Sequence, residues 1–136
     1  MFFKKKEHEK PKAAEPIKKV YEIPYSKGFR GFKRFLLTVH GDAESERNNE
    51  KCYKNDFSNS KFEFVCFNYD GLNRVAVLYI DGVKMGCVYD PDQIKDIESG
   101  KITQIHIEPK DEVVIGNNST ETRHRIRAFV KYKDEN

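Results

Sequence analysis

The run from Arg74 to Ile80, the pair Asp81-Gly82 and the run from Val83 to Val88 constrain this chain more than any other segment. Both central positions of a two-residue hairpin turn need positive φ, and Asp-Gly meets that need with little steric cost, so the two runs are predicted to pair as antiparallel strands. Directly after them, Asp90-Pro91-Asp92-Gln93 reads as a helix start. Asp90 is the expected cap, Pro91 suits the first helical position, and Gln93 is placed to reach back as in a capping box. The helix is expected to reach about Ser99, with Gly100 at its C-terminal cap and Ile94 and Ile97 turned inward. Strand, tight turn, strand and capped helix in immediate succession leave few folds open.

The remaining apolar segments are short. Val20 to Tyr25 reads as a first strand that Pro24 ends or confines to an edge. Phe35 to Val39 is a second, Lys61 to Phe67 a third, and Lys101 to Glu108 another, marked by Ile102, Ile105 and Ile107. Val113-Val114-Ile115 is a brief run, and Arg123 to Lys133 is the final strand. Gly41 to Ser60 is polar and long for a connection in a compact domain; it is either a functional loop or the site of a short helix. The implied class is mainly β (α+β), a small OB- or SH3-like β-barrel with one or two short helices. Residues 1–19 are rich in Lys, Glu, Pro and Ala and poor in apolar side chains, which predicts a flexible charged tail. Residues 20–133 are then a single β-rich domain.

Composition narrows the function classes. The chain has 136 residues, enough for one modest core and too few for a large two-layer enzyme. Charged residues make up 35% and hydrophobic ones 38%, with ten Phe and seven Tyr carrying much of the apolar material. A net charge of +3 permits an anionic partner without requiring one. Cys52, Cys66 and Cys87 are odd in number and irregularly spaced, which argues against a disulfide framework and for a reducing cytoplasm. No apolar run approaches the roughly 20 residues of a membrane span, so no membrane partner is expected.

The last strand carries the clearest electrostatic pattern. In extended chain alternate residues share a face. His124, Ile126, Ala128, Val130 and Tyr132 make one face, expected to meet the core. Arg123, Arg125, Arg127, Phe129, Lys131 and Lys133 make the other. Such a strip suits a phosphate backbone, with Phe129 available to stack on a base; equally, charge on an edge strand blocks aggregation.

Tyr69-Asp70 is the second candidate. A carboxylate repels phosphate but accepts a hydrogen bond from a free hydroxyl, which would suit recognition of a strand end. Alternatively, Asn68, Asp70, Gly71 and Asn73 simply build a tight turn. The order Asn68-Tyr69-Asp70-Gly71-Leu72-Asn73-Arg74-Val75-Ala76-Val77, then Asp81-Gly82, Gly86 and the helix at Asp90, resembles the HIRAN domain, a small β-barrel that binds single-stranded DNA ends. The resemblance covers about a quarter of the chain. It implies that Tyr69 and Asp70 lie at a nucleotide-end pocket, that Asn73 braces the loop, and that Gly86 permits close packing. Family members often sit beside helicase or nuclease domains, so it also implies a separate helicase or nuclease as partner.

Enzyme readings are poorer. Cys52 would need His40 or His106 beside it to act as a nucleophile, and the Cys and His residues lack paired zinc-ligand spacing. The expectation is a non-catalytic module without cofactor that binds single-stranded DNA or its 3′ ends. In that reading Tyr69 and Phe129 stack, Asp70 accepts from a terminal hydroxyl, and Arg123, Arg125, Arg127 and Lys131 meet phosphates. The competing expectation is a protein-interaction or structural module on the same barrel, using the 41–60 segment and the tail as contact surfaces.

Overall fold

The computed structural model describes residues 18–70 and 73–134. The expected tail therefore lies almost wholly outside the described residues, as do Gly71 and Leu72 of the Tyr69-Asp70 segment. The chain order is β1 (Lys19–Glu22), β2 (Lys33–Phe35), α1 (Ala43–Cys52), β3 (Phe62–Asn68), β4 (Arg74–Ile80), β5 (Val83–Val88), α2 (Pro91–Glu98), β6 (Ile102–Ile115) and β7 (Thr120–Tyr132). The fold is mainly β, in two antiparallel sheets ordered β1-β3-β4-β5 and β2-β7-β6.

The β4–β5 hairpin turns where the sequence requires it, with φ of 53° at Asp81 and 79° at Gly82. The Asp81 carboxylate also accepts from the Lys61 N–H at 2.8 Å, which ties the turn to the start of β3. Helix α2 is capped by Asp90, whose carboxylate accepts from the Gln93 N–H at 3.0 Å. Gln93 does not close a capping box. Its side-chain oxygen instead accepts from the Leu36 N–H at 3.3 Å, fastening the helix to the segment after β2.

The two sheets share one core. Phe62, Phe64, Ala76, Leu78 and Met85 from the first sheet meet Ile105, Ile107, Ile126, Ala128 and Val130 from the second, with Ile94 and Ile97 of α2 closing one end. Among the described residues the sheets do not close into a barrel. Two single-residue bridges join them, Tyr25 to Ile105 and Thr38 to Cys87. The predicted second strand is accordingly shorter than Phe35 to Val39: the chain leaves β7 after Phe35 and crosses to β5 at Thr38. On the way Leu37 lies against Gly86, where a Cβ would stand 2.6 Å from its Cγ.

The segments Lys101 to Glu108 and Val113 to Ile115 are one strand, β6, with Pro109 inside it. Proline fits there because Pro109 opposes Ile126, whose N–H points away from β6 and donates to Asn49 Oδ1 at 2.8 Å. At such a pair no ladder bond crosses, so no N–H is missed.

The polar 41–60 segment contains α1. Glu44 and Glu46 in its first turn and Lys51 in its last complement the helix dipole. Its buried Asn49 donates to the Met85 carbonyl of β5 at 2.8 Å and accepts from Ile126 of β7. Glu50 Oε2 accepts from the His124 N–H at 3.0 Å. Side chains of α1 thus satisfy the edge of β7 where β2, only three residues long, stops short.

Candidate nucleic-acid interface

The predicted facing of β7 is correct: Ile126, Ala128 and Val130 are buried in the core, and the arginines turn the other way. That other face is not an open row of cations. Across the β6–β7 ladder, Arg123 opposes Glu112, Arg125 opposes Lys110, Arg127 opposes Glu108, and Phe129 opposes His106. Arg125 is only 5% exposed. Its guanidinium lies 3.8–3.9 Å from Glu46, Glu50 and Glu112 and donates to the His124 carbonyl at 3.2 Å. Arg123 meets Glu121 and His40, each at 3.3 Å, and Arg127 lies 3.8 Å from Glu108. The expectation that Arg125 faces a phosphate backbone therefore meets a steric obstacle, since helix α1 and three carboxylates surround it.

Phe129 is also engaged. Its ring tilts against Phe29 at 5.2 Å, and the Arg127 guanidinium stands over it at 5.5 Å. Phe29 stacks in turn on His106 at 4.3 Å, and His106 on Tyr25 at 5.6 Å. The His106 Nδ1 donates to the Ser26 carbonyl at 2.7 Å, so this aromatic column fixes the 25–29 segment to β6.

Lys131 stands apart, at the far end of β7. It lines a groove of about 600 Å³ with Lys33, Lys101 and Lys133.

Tyr69 and Asp70 follow β3. The Tyr69 N–H donates to the Asn73 carbonyl at 3.0 Å. Both Asp70 oxygens accept from Asn73, from its N–H at 2.9 Å and its side-chain amide at 2.8 Å. Asn73 thus holds Asp70 by both its backbone and its side chain. Arg74 next to it holds Asn68 and Glu98, which locks the base of the loop to α2.

Tyr69 opens onto a surface that sequence reasoning missed. The outward face of β3, β4 and β5 carries a second small apolar cluster, Val75, Val77 and Cys87, packed against Phe67 and Tyr79. Phe67, Val75, Val77 and Cys87, together with Tyr69, Tyr89 and Lys84, line a shallow groove of about 350 Å³. Tyr69 is 55% exposed and Tyr89 49%. Lys18 stands over the Phe67 ring at 5.4 Å, and Lys84 pairs with Asp42 at 3.0 Å. The signal was present in the sequence: β3 and β4 are nearly continuous apolar runs, and a strand apolar on both faces has a second face to cover. No described hydrogen bond, ion pair or ring contact links this groove to β7, so the two sequence candidates occupy separate surfaces.

Two of the three thiols, Cys66 and Cys87, are buried and hard to ionise. Burial pushes Cys66 up to about 11 and raises Cys87 as well, and no described hydrogen bond joins Cys52 to a histidine. Among the described residues no group of three or more His, Cys, Asp or Glu side chains is placed to hold a metal ion, and no helix is long and apolar enough to cross a membrane. Compared with protein-family models, curated proteins and solved structures, the chain matches none of them.

Proposed function

We propose that the chain is a non-catalytic nucleic-acid-binding module of HIRAN-like barrel type that takes single-stranded DNA, or its 3′ end, in the aromatic groove on the outward face of β3–β4–β5. The observation that carries this reading is the pair of half-exposed tyrosines, Tyr69 and Tyr89, flanking an apolar floor of Val75, Val77 and Cys87. Unpaired bases stack on such rings whatever their identity, each stack contributing about 1–3 kcal/mol. Duplex bases, already stacked, gain nothing there. In this reading Asp70 takes a terminal hydroxyl as one more donor beside those from Asn73. The barrel type is supported by the two bridges that join the sheets at either side and by Leu37 filling the space over Gly86, the close packing that the resemblance implies. A separate helicase or nuclease would then supply any catalysis.

Fluorescence anisotropy with a labelled single-stranded oligonucleotide tests the reading. Binding is expected to exceed that of a duplex of equal length, to weaken by about 1–3 kcal/mol in Tyr69→Ala and in Tyr89→Ala, and to favour a free 3′-hydroxyl over a 3′-phosphate in wild type but not in Asp70→Ala. Equal affinity of wild type and both tyrosine variants, or no binding at low salt, rejects it.

One observation favours the protein-interaction alternative. The β6–β7 ladder continues to Ile115 and Thr120, well past the short β2, and presents Val113 and Ile115 at its tip, the latter 79% exposed. An arm with an apolar tip suits contact with another protein. A Val113→Ser/Ile115→Ser variant that loses a partner while keeping DNA affinity would assign the arm to that role.

A further inference from the structure

The lysine groove at the end of β7 is separate from the aromatic groove. Lys33 comes from β2, Lys101 from the junction of α2 and β6, Lys131 from the end of β7 and Lys133 from just beyond it. The backbone holds them close: the Lys133 N–H donates to the Lys101 carbonyl at 2.7 Å, and the Thr103 hydroxyl donates to the Lys131 carbonyl at 3.2 Å. All four lysines are exposed. Among the described residues none of them makes an ion pair, although Asp96 and Asp134 line the same groove. Lys33 stands over the Tyr132 ring at 5.6 Å, and Tyr132 titrates above its ordinary range because of burial first and the neighbouring Asp96 second.

We propose that this groove is a binding site for the phosphodiester backbone of a nucleic acid, one that reads no bases. The charge placement points to an anion, because this fold pairs each predicted β7 arginine with a carboxylate and leaves these four cations unmatched. The side-chain chemistry points to phosphate. The planar fork of arginine meets carboxylate and phosphate alike and fixes the ligand's orientation, and the groove contains no arginine. Lysine acts as a point charge that meets a phosphate oxygen from any direction, which suits a backbone passing over several residues. The single aromatic residue, Tyr132, is turned toward the core and covered by Lys33, so no apolar anchor for a folded protein is on offer. The site does not depend on stacking in the aromatic groove, and its test keeps the two apart.

The probe is a labelled abasic oligonucleotide, which has the backbone and no bases, titrated at several salt concentrations. Wild type is compared with Lys101→Gln/Lys131→Gln/Lys133→Gln and with Tyr69→Ala/Tyr89→Ala. Each phosphate neutralised on a single strand contributes about −0.7 to the slope of log K against log salt, so the triple lysine variant is expected to flatten that slope by about 2. The tyrosine variant should bind the abasic strand as wild type does, even if stacking proves to have no part in binding. Inorganic tripolyphosphate should compete and poly-glutamate should not. An unchanged slope in the lysine variant, displacement by poly-glutamate as effective as by tripolyphosphate, or no binding of the abasic strand at low salt overturns the proposal.

Discussion

The two halves of β7 read alike in sequence and differ in space. Arg123, Arg125 and Arg127 on one side and Lys131 and Lys133 on the other follow the same alternation. The arginine half lies between helix α1 and a strand that supplies Glu108 and Glu112, and it is ion-paired throughout. The lysine end passes beyond α1 into an open groove whose other charged walls are Lys33, Lys101, Asp96 and Asp134, and no described ion pair joins these carboxylates to the lysines. Strand periodicity fixes which face a side chain takes; the neighbours that arrive from elsewhere fix whether its charge is available. The arginine half serves the architecture, and the lysine end is the part of β7 that belongs to the proposed backbone site.

This contrast is sharpest at Asn49. Its amide replaces a missing strand, accepting from Ile126 and donating to Met85 in a fully buried setting. Asn49→Ala leaves both backbone groups buried and unsatisfied, each worth about 1–3 kcal/mol. Urea unfolding should show a loss of about 3 kcal/mol, larger than for changes at Arg125, at Asp42 or at the lysine end. A loss under about 1 kcal/mol would mean that water reaches this seam and that α1 does not stand in for a strand.

Arg125 comes next. Arg125→Ala removes a buried side chain, but the carboxylates around it remain partly solvated, so about 1–2 kcal/mol is expected. Arg125→Met, which keeps the packing, should recover most of that, because a buried ion pair rarely outperforms an apolar replacement. Neither variant should alter the salt dependence of DNA binding. If either does, Arg125 reaches ligand and the division of β7 fails.

Acid should loosen the contacts of α1, along with those of Asp56 and Asp81, whose carboxyls are also held low by neighbouring N–H and hydroxyl donors. Asp42, before α1, is held below the ordinary carboxylate range by the Ser45 hydroxyl and by Lys84. Glu46 is likewise lowered, chiefly by the Gly41 N–H and then by Arg125. A depressed folded-state value means stability that is complete above the unfolded-state value and is lost as pH falls through the folded one. Melting temperature should therefore hold near neutrality and decline below about pH 4, less steeply in Asp42→Asn, which lacks part of the effect from the outset. Identical pH profiles for the two proteins would mean that Asp42 contributes nothing to the acid response. The smallest effect on stability belongs to the lysine end: the triple glutamine variant should unfold within about 0.5 kcal/mol of wild type, as expected for exposed residues.

How much of the molecule could be read beforehand follows from the same contrast. The β4–β5 hairpin, the Asp90 cap and the inward pair Ile94 and Ile97 rest on local rules, and the structure shows them where those rules put them. The core face of β7 was equally legible, because alternation is local. What lay beyond reach depended on partners distant in sequence. Nothing near Arg125 announces Glu46 and Glu50, and nothing near Gln93 announces Leu36. The aromatic groove falls between these cases: the doubly apolar character of β3 and β4 was visible, but assigning Tyr69 and Tyr89 to one surface required the strand order.

The two single-residue bridges have a consequence in time as well as in space. Each seam between the sheets is held by one backbone pair, at Thr38 and Cys87 on one side and at Tyr25 and Ile105 on the other, whereas β3 and β4 share seven consecutive pairs. Openings of a fold begin where fewest bonds must break together. The amides of Thr38 and Cys87 should therefore exchange with solvent well before those of Val65 and Val77, and the groove beside Cys87 should widen and narrow on the rhythm of that seam while the inner ladder stays shut.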